Sequence, residues 1–133
     1  MKVKNTDMKV KCGIDIIEIS RIKDSIEEDE QGKFKKRVFT QKEIEYCESK
    51  KTQKYQHYAA RFAAKEATFK AISDEILDKY SITWKDIEVI NEESGRPQIK
   101  LTGINSEAIE NIDLSISHCK EYATASVVVL TID

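Results

Sequence analysis

Residues 58–72, which read YAARFAAKEATFKAI, are the stretch around which the chain is organised. Ala, Lys, Glu and Arg are strong helix formers, and neither Gly nor Pro interrupts the run, so the stretch predicts a helix. At about 100° per residue, one broad face of this helix collects its alanines: Ala59, Ala60, Ala63, Ala64, Ala67 and Ala71. Side chains this small favour close packing of the helix against other backbone.

The opposite face of the predicted helix carries aromatic and charged side chains together. Three aromatic residues form a central stripe and four charged residues flank it: Tyr58, Phe62 and Phe69, with Arg61 and Lys65 on one side and Glu66 and Lys70 on the other. A surface helix usually places its charges opposite its apolar stripe, whereas here only alanines lie opposite the aromatic rings. Two interpretations remain open. The charged groups line the wall of a pocket, or they are solvated and their stems lie along the rings.

Length and composition limit the class of protein. A chain of 133 residues suits a single domain with one hydrophobic core. Hydrophobic residues make up 40% and charged residues 35% of the chain, which excludes a disordered or membrane-embedded protein. Residues 1–7 lack the apolar core of a secretory signal, so we predict a cytoplasmic protein with no membrane contact. Three widely spaced cysteines exclude a paired CxxC metal site and predict reduced thiols.

Charge is distributed unevenly along the chain. Residues 33–70 contain 11 basic and 4 acidic side chains, a balance of +7, whereas residues 74–113 contain 4 basic and 10 acidic ones, a balance of −6. The basic segment includes the predicted helix and could hold an anionic partner. Nucleic acid, a phosphate-bearing cofactor and an acidic protein all fit this charge, and scattered solvated charge is the fourth interpretation.

The remaining pattern predicts an α+β fold of one domain, with early helices packed on a mainly antiparallel sheet. Helical spacing adds three helices: residues 18–30, residues 40 to about 50 after a capping box, and residues 106–112. β-branched and alternating runs predict five strands: residues 10–17, 87–90, 98–101, 114–118 and 123–132. The second and third strands flank the polar residues 91–97 and predict a hairpin with a longer loop.

Asp15 interrupts the first predicted strand. An acid inside an apolar run must be paired, protonated or bound to a cation if it is buried. Gly13, two residues earlier, removes side-chain bulk from the same face of the strand. Turn capping is the alternative role for a single aspartate near the end of a strand.

Several familiar catalytic motifs are absent from the sequence. It contains no GxxxxGK[ST] phosphate loop, no GxGxxG after a strand and no GxSxG turn. These absences give no support to a P-loop ATPase, a dinucleotide-binding enzyme or a lipase-type hydrolase.

Five blocks of sequence, in this order, resemble the holo-acyl-carrier-protein synthases, the small single-domain class of phosphopantetheinyl transferase: residues 13–22, 34–40, 61–67, 95–97 and 115–123. The resemblance implies a phosphopantetheinyl transferase-like fold over residues 8–133, with residues 1–7 as a disordered extension. It implies transfer of the phosphopantetheine arm of coenzyme A to a serine of an acidic apo acyl carrier protein. It also implies a homotrimer whose active sites lie between subunits.

The resemblance also assigns roles to individual residues. Asp15 and Glu66 match the carboxylates that bind a divalent metal ion, normally Mg²⁺, which needs only one or two carboxylates besides waters and phosphate oxygens. Lys70 is expected to contact the pyrophosphate of coenzyme A. Further contacts to coenzyme A are implied for Arg61, Lys65, His118, the loop Gly95-Arg96-Pro97 and Lys51 or Lys54. Arg21 and Arg37 match positions that hold the carrier protein.

The sequence departs from the family pattern at two places. Cys119 stands where a threonine usually follows the histidine, and Ser73-Asp74-Glu75 replaces a glycine-bearing turn. Two other functions fit part of the pattern. A non-catalytic module that binds coenzyme A or a carrier protein would share the basic surface without needing both carboxylates. An RNA-binding protein would need aromatic residues on an exposed sheet, whereas most aromatic residues here lie on predicted helices, so we expect no nucleic-acid partner.

Overall fold

The structure, a computed structural model, describes residues 8–75, 82–102 and 108–132. The strands in this part of the chain are β1 (Met8–Glu18), β2 (Ile87–Asn91), β3 (Pro97–Leu101), β4 (Ile109–His118) and β5 (Tyr122–Ile132). The α-helices are α1 (Ile19–Glu27), α2 (Lys33–Val38), α3 (Gln41–Glu48) and α4 (Lys54–Ile72). Short 3-10 turns lie at Lys51–Gln53, Ser73–Glu75 and Trp84–Asp86. The predicted disorder of residues 1–7 lies outside the described residues.

The early helices follow from local signals in the sequence. At the start of α3, the Thr40 hydroxyl accepts a hydrogen bond from the Glu43 backbone and the Glu43 side chain accepts one from the Thr40 backbone, so the predicted capping box is confirmed. Helix α4 begins at Lys54 and extends the predicted helix at its N-terminal end. The segment directly before it, Lys51–Gln53, forms a 3-10 turn.

Two antiparallel sheets form the β layer of the described residues. Strands β1, β5 and β4 make a three-stranded sheet with β5 at its centre, and β2 pairs with β3 in a separate hairpin. The hairpin register pairs Asn91 with Pro97 across the loop. The predicted hairpin and the antiparallel sheet are therefore confirmed.

Helix α4 packs its alanine face against the three-stranded sheet. Ala59, Ala63, Ala64 and Ala67 have no exposed surface. The approach is closest at Gly13 of β1, where a Cβ atom would lie only 2.0 Å from the carbonyl oxygen of Ala67. Gly13 therefore lets the helix backbone rest directly on the strand.

The other face of the three-stranded sheet is uncovered in the single chain. Val10, Ile14 and Ile16, which alternate along β1, are 71%, 66% and 66% exposed, and Val128 of β5 is 45% exposed. These side chains form one apolar surface, which we call the outer sheet face. An apolar surface of this kind commonly marks an interaction site.

The helix predicted for residues 106–112 is wrong over its second half, because β4 begins at Ile109. Ile109 and Ile112 stand three residues apart, which resembles helical spacing. A register shift between Ile109 and Asn111 adds one residue to the strand, so both isoleucines pair with β5 and both are half-buried. Residues 103–107 lie outside the described part of the chain.

Candidate active site

Asp15 of β1 and Glu66 of α4 line the same cavity. The cavity measures about 450 Å³, and Arg21, Phe34 and Phe62 also contribute to its wall. Asp15 follows Gly13 by two residues and Glu66 precedes Ala67, so the contact between Gly13 and Ala67 brings the two carboxylates to one place. Asp15 lies inside the strand, paired with Ala125, which excludes the turn-capping role.

The charges in this cavity are unbalanced. Burial raises the pKa of Glu66, and the nearby Asp15 carboxylate raises it further, while Lys70 acts in the opposite direction. The Lys70 ammonium donates to Asp15 Oδ1 at 3.2 Å and to the backbone oxygen of Ile14 at 3.1 Å. A cation placed between the two carboxylates would relieve their repulsion.

The donor set of this cavity fits Mg²⁺. Within the described ranges, no cluster of three or more His, Cys, Asp and Glu side chains is arranged to hold a metal ion. Asp15 and Glu66 are the two carboxylates that line this cavity and that a metal ion could use. A pair of carboxylates suffices for Mg²⁺, which keeps several waters and shares phosphate oxygens of its substrate.

Glu66 also borders a second, smaller cavity. This cavity measures about 260 Å³ and is mainly apolar, with Phe69, Ile82, Trp84 and Ile87 in its wall. Phe62 stacks on Trp84 with ring centroids 5.0 Å apart. This contact holds the 3-10 turn Trp84–Asp86 against α4. Glu66 thus lies where a polar cavity and an apolar one adjoin.

Lys65, the neighbour of Glu66, lies in the core. Its side chain has no exposed surface, and its ammonium pairs with Glu43 Oε1 at 2.8 Å. It also donates to the backbone oxygens of Trp84 at 3.0 Å and Ile87 at 2.5 Å. Burial lowers the pKa of Lys65, and Glu43 opposes that shift. Lys65 is therefore buried and paired within the chain at the wall of the smaller cavity, and its contact with coenzyme A stays a prediction.

Arg61 is buried as well, with only 3% of its surface exposed. Its guanidinium carbon lies 3.9 Å from the ring centre of Tyr46, and its Nη2 donates to Asn91 Oδ1 at 2.6 Å. The Nε of Arg61 is buried with no hydrogen-bond partner among the described residues. The flank of α4 formed by Arg61 and Lys65 is therefore buried and not solvated, and Lys65 borders the smaller cavity.

A chain of contacts joins the two segments expected at the nucleotide end of coenzyme A. The His118 ring lies 5.7 Å from the His57 ring, which lies 5.6 Å from that of Tyr46. Tyr46 contacts Arg61, Arg61 binds Asn91, and Asn91 Nδ2 donates to the Gly95 backbone oxygen at 3.0 Å. Burial, with the charges of Lys50, His118 and Arg61, lowers the pKa of His57 to about 4, so His57 is neutral at pH 7.

The remaining predicted site residues lie at or near the surface. Arg96 pairs with Asp113 at 2.9 Å, and Lys54 pairs with Glu48 at 3.3 Å. The other three are exposed: Lys51 in its 3-10 turn, Arg37 on α2, and Arg21 on α1 at the edge of the larger cavity.

Tyr46, His57 and Asn91 are the members of this contact chain that sequence reasoning missed. His57 stands four residues before Arg61 on α4, a spacing that places two side chains on one helix face. Asn91 ends β2 where the hairpin loop begins, a position that asparagine favours. Tyr46 carries no local signal, because its partner Arg61 lies on another helix.

Comparison with known proteins identifies the family. Residues 11–127 match the model of the 4'-phosphopantetheinyl transferase superfamily. The chain belongs to this superfamily. Among its curated relatives, the holo-[acyl-carrier-protein] synthase of Ruminiclostridium cellulolyticum is 44% identical over 92% of each chain. The enzyme of the same name from Geobacter sp. is 42% identical over 87% of this chain and 94% of its own.

Solved structures give the same result. A Bacillus anthracis holo-(acyl-carrier-protein) synthase in complex with CoA (3',5'-ADP) has a TM-score of 0.75 and 36% identity, covering 94% of this chain and 99% of its own. The Helicobacter pylori holo-[acyl-carrier-protein] synthase in complex with coenzyme A has a TM-score of 0.73 and 31% identity, covering 89% and 98%. The fold class predicted from the sequence is confirmed.

Proposed function

We propose that this protein transfers the 4'-phosphopantetheine arm of coenzyme A to a serine of an apo acyl carrier protein. The products are holo acyl carrier protein and adenosine 3',5'-bisphosphate, and the reaction depends on Mg²⁺. The observation that carries this proposal is the meeting of Asp15 and Glu66 in one cavity, beside the ammonium of Lys70. The superfamily membership and the coenzyme A complexes of similar proteins support it.

In this proposal Asp15 and Glu66 hold Mg²⁺, which when bound neutralises charge on the pyrophosphate of coenzyme A. Phosphoryl transfer depends mainly on positioning and electrostatic stabilisation, so the chain must supply fixed charges more than covalent chemistry. Lys70 is 52% exposed and pairs from α4 with Asp15, which lines the cavity. Its ammonium is the group that we expect on the pyrophosphate oxygens of coenzyme A, where it would stabilise the 5'-phosphate that leaves with adenosine 3',5'-bisphosphate, while Phe34 and Phe62 exclude water from one wall.

We assign the nucleotide end of coenzyme A to His118, Arg61 and the loop Gly95-Arg96-Pro97. The unpartnered Nε of Arg61 supports this assignment, because a buried donor without a partner is costly and an acceptor on the ligand would satisfy it. Lys51 and Lys54 remain the predicted contacts of the ribose phosphate. Lys54 would have to exchange its pairing with Glu48 for the phosphate.

The carrier protein is expected to approach over α1 and α2. Arg21 lies at the mouth of the cavity that holds Asp15 and Glu66, and Arg37 is exposed on α2. Both guanidinium groups can bind acidic side chains of a partner. Exposed charge pairs of this kind weaken with salt, so the affinity for the carrier should fall as ionic strength rises.

We infer that the outer sheet face closes a homotrimer. A single chain leaves Val10, Ile14 and Ile16 more than 60% exposed, and burial of such side chains is the main driving force of association. Burying this face between copies of the chain also fits active sites that lie between subunits. Two further parts of the proposal rest on sequence alone: a cytoplasmic location, and a carrier from fatty-acid synthesis, which would place the reaction in lipid metabolism.

Intact-mass spectrometry tests the reaction directly. Apo acyl carrier protein is incubated with this protein, coenzyme A and Mg²⁺, alongside a sample with excess chelator. We expect a mass gain of one phosphopantetheine that the chelator abolishes. A gain that persists in chelator would overturn the metal assignment. No gain with several carrier proteins, together with retained binding of coenzyme A, would identify a non-catalytic binding module instead.

A further inference from the structure

Two elements outside α4 hold the Arg61 guanidinium. Tyr46 of α3 lies under its plane at 3.9 Å, and Asn91 at the end of β2 accepts from its Nη2 at 2.6 Å. A planar guanidinium held by a ring on its face and an acceptor at its edge has little rotational freedom. The orientation of Arg61 is therefore set by Tyr46 and Asn91, and its free Nε is aimed in one direction.

Asn91 also connects Arg61 to the loop of the β2–β3 hairpin. Its Oδ1 accepts from Arg61 while its Nδ2 donates to the Gly95 backbone oxygen at 3.0 Å. Gly95 has a φ of 90°, which favours glycine, so the loop has one preferred shape. An amide side chain offers an acceptor and a donor together, whereas a carboxylate offers acceptors alone. Asn91 therefore couples the position of the loop to that of α4.

The loop has a second attachment, an ion pair that is weak because it is exposed to solvent. Arg96 pairs with Asp113 of β4 at 2.9 Å, but the two side chains are 56% and 66% exposed. Exposed ion pairs contribute little to stability because water and salt screen them. The attachment through Asn91 ends on Arg61, which is buried, so its Arg61 end is shielded from water although the bond from Asn91 to Gly95 is exposed.

We propose that Tyr46 and Asn91 are positioning residues, which orient Arg61 and fix the Gly95 loop at the nucleotide end of the coenzyme A site. This inference rests on the proposed function, since it takes Arg61 and the loop as contacts of the nucleotide. Neither residue touches the cavity of Asp15 and Glu66. The pair should therefore act on the binding of coenzyme A while leaving the metal carboxylates unaffected.

Two pairs of variants test the inference. Asn91→Ala removes both hydrogen bonds, whereas Asn91→Asp keeps an acceptor for Arg61 and loses the donor to Gly95. Tyr46→Leu removes the ring under Arg61. Tyr46→Phe keeps the ring and loses only a hydroxyl that makes no hydrogen bond in the described part of the chain. Glu93→Gln, an exposed loop position without side-chain contacts there, is a control for the loop itself.

Affinity for adenosine 3',5'-bisphosphate, measured by isothermal titration calorimetry, is the first readout. We expect Asn91→Ala and Tyr46→Leu to weaken binding about tenfold, as loss of a buried contact to a charged group does. The affinity of Asn91→Asp for the bisphosphate should lie between those of Asn91→Ala and wild type. Tyr46→Phe and Glu93→Gln should bind as wild type does. In steady-state assays the KM for coenzyme A should rise in parallel, with kcat and the KM for the carrier protein within about twofold of wild type.

Several results would overturn the inference. Wild-type affinity in folded Asn91→Ala is one, and an equal loss in Tyr46→Phe and Tyr46→Leu is another. A fall in kcat that follows a lowered melting temperature, with KM unchanged, would indicate a merely structural role. Failure of the proposed function is distinguishable, because wild-type protein would then bind the bisphosphate without transferring the arm. The calorimetric comparison of the variants would still decide the role of Tyr46 and Asn91.

Discussion

Glu66 is the residue at which stability and function oppose each other. A half-buried carboxylate beside a second carboxylate destabilises the fold when both are ionised, and the raised pKa of Glu66 reflects that cost. The same repulsion is what a divalent cation would relieve. The Lys70 side chain is 52% exposed, whereas that of its partner Asp15 is 18% exposed. Because its ammonium is open to solvent, Lys70 can exchange Asp15 for another anion.

Glu66→Gln should abolish transfer and raise the melting temperature of the metal-free protein at pH 7. Because the pKa of Glu66 is raised in the folded state, ionisation costs more in the fold than in the unfolded chain above that pKa. The penalty shrinks as pH falls below the raised pKa and is gone below the pKa of the unfolded chain, so wild type and variant should melt alike in acid. Calorimetry at several pH values checks this. A variant less stable than wild type at pH 7 would contradict the assigned environment of Glu66.

Lys65→Met should destabilise the fold by about 3–5 kcal/mol, because it leaves the Glu43 carboxylate buried without its counter-charge. Adding Glu43→Gln removes the orphaned charge and should restore part of the loss. Urea unfolding of wild type, the single variant and the double variant measures both effects. If Lys65→Met unfolded at the wild-type urea concentration and lost affinity for coenzyme A instead, the core position of Lys65 would be refuted.

Contact between β1 and α4 is the element-scale feature that creates the candidate site. Neither element carries both carboxylates, and their approach depends on the absence of a side chain at Gly13. The alanine face of α4 continues that close packing along the strand and onto β5. The geometry of the site is therefore determined by how closely α4 packs on the sheet.

Gly13→Ala should push α4 away from β1, because its Cβ would lie 2.0 Å from the Ala67 carbonyl oxygen. We expect a destabilisation of about 1–3 kcal/mol from overpacking and a loss of metal affinity as Asp15 and Glu66 separate. Gly32→Ala is the matched control: its φ of 68° makes alanine strained, but no atom lies near the added Cβ. Urea unfolding measures the stability of each variant, and electron paramagnetic resonance measures its affinity for Mn²⁺. Equal metal affinity in both variants would disprove the packing argument.

On the scale of the whole molecule, the two faces of the three-stranded sheet differ in their exposure to solvent. One is covered by α4, and the other presents Val10, Ile14 and Ile16 to solvent in the single chain. Among the described residues, no helix has the length and apolarity needed to cross a membrane. Because its side chains are exposed and apolar, the outer sheet face is the surface on which the proposed assembly should depend.

Ile14→Lys should convert the proposed trimer into monomers, because a charge on the outer sheet face cannot be buried without a partner. Transfer activity should fall with the assembly if the active sites lie between subunits. Gln41→Lys adds the same charge to an exposed position on α3 and should leave both unchanged. Size-exclusion chromatography with light scattering gives the masses. A trimeric Ile14→Lys variant would place the subunit contact elsewhere.

The sequence by itself determined the class of fold, the organising helix and the superfamily. Local signals were sufficient because they act within a few residues: helix propensity and the alanine face over residues 58–72, and the capping box of Thr40 and Glu43. An acid inside an apolar strand and an acid beside an aromatic stripe are local oddities too, and they mark Asp15 and Glu66 as candidate site residues. The resemblance then supplied the chemistry, and the superfamily is confirmed.

Only the tertiary structure decided the fate of individual side chains. Lys65 and Glu66 are neighbours in sequence, yet the Lys65 ammonium is buried against Glu43 at the wall of one cavity, whereas Glu66 lines two. The two side chains point about 100° apart around the helix. The environment of each one depends on which elements pack against that side of α4. Asn91 is 30 residues from Arg61, so no local pattern could reveal their contact. Burial and long-range pairing follow from the packing of distant segments, which single-residue signals do not encode.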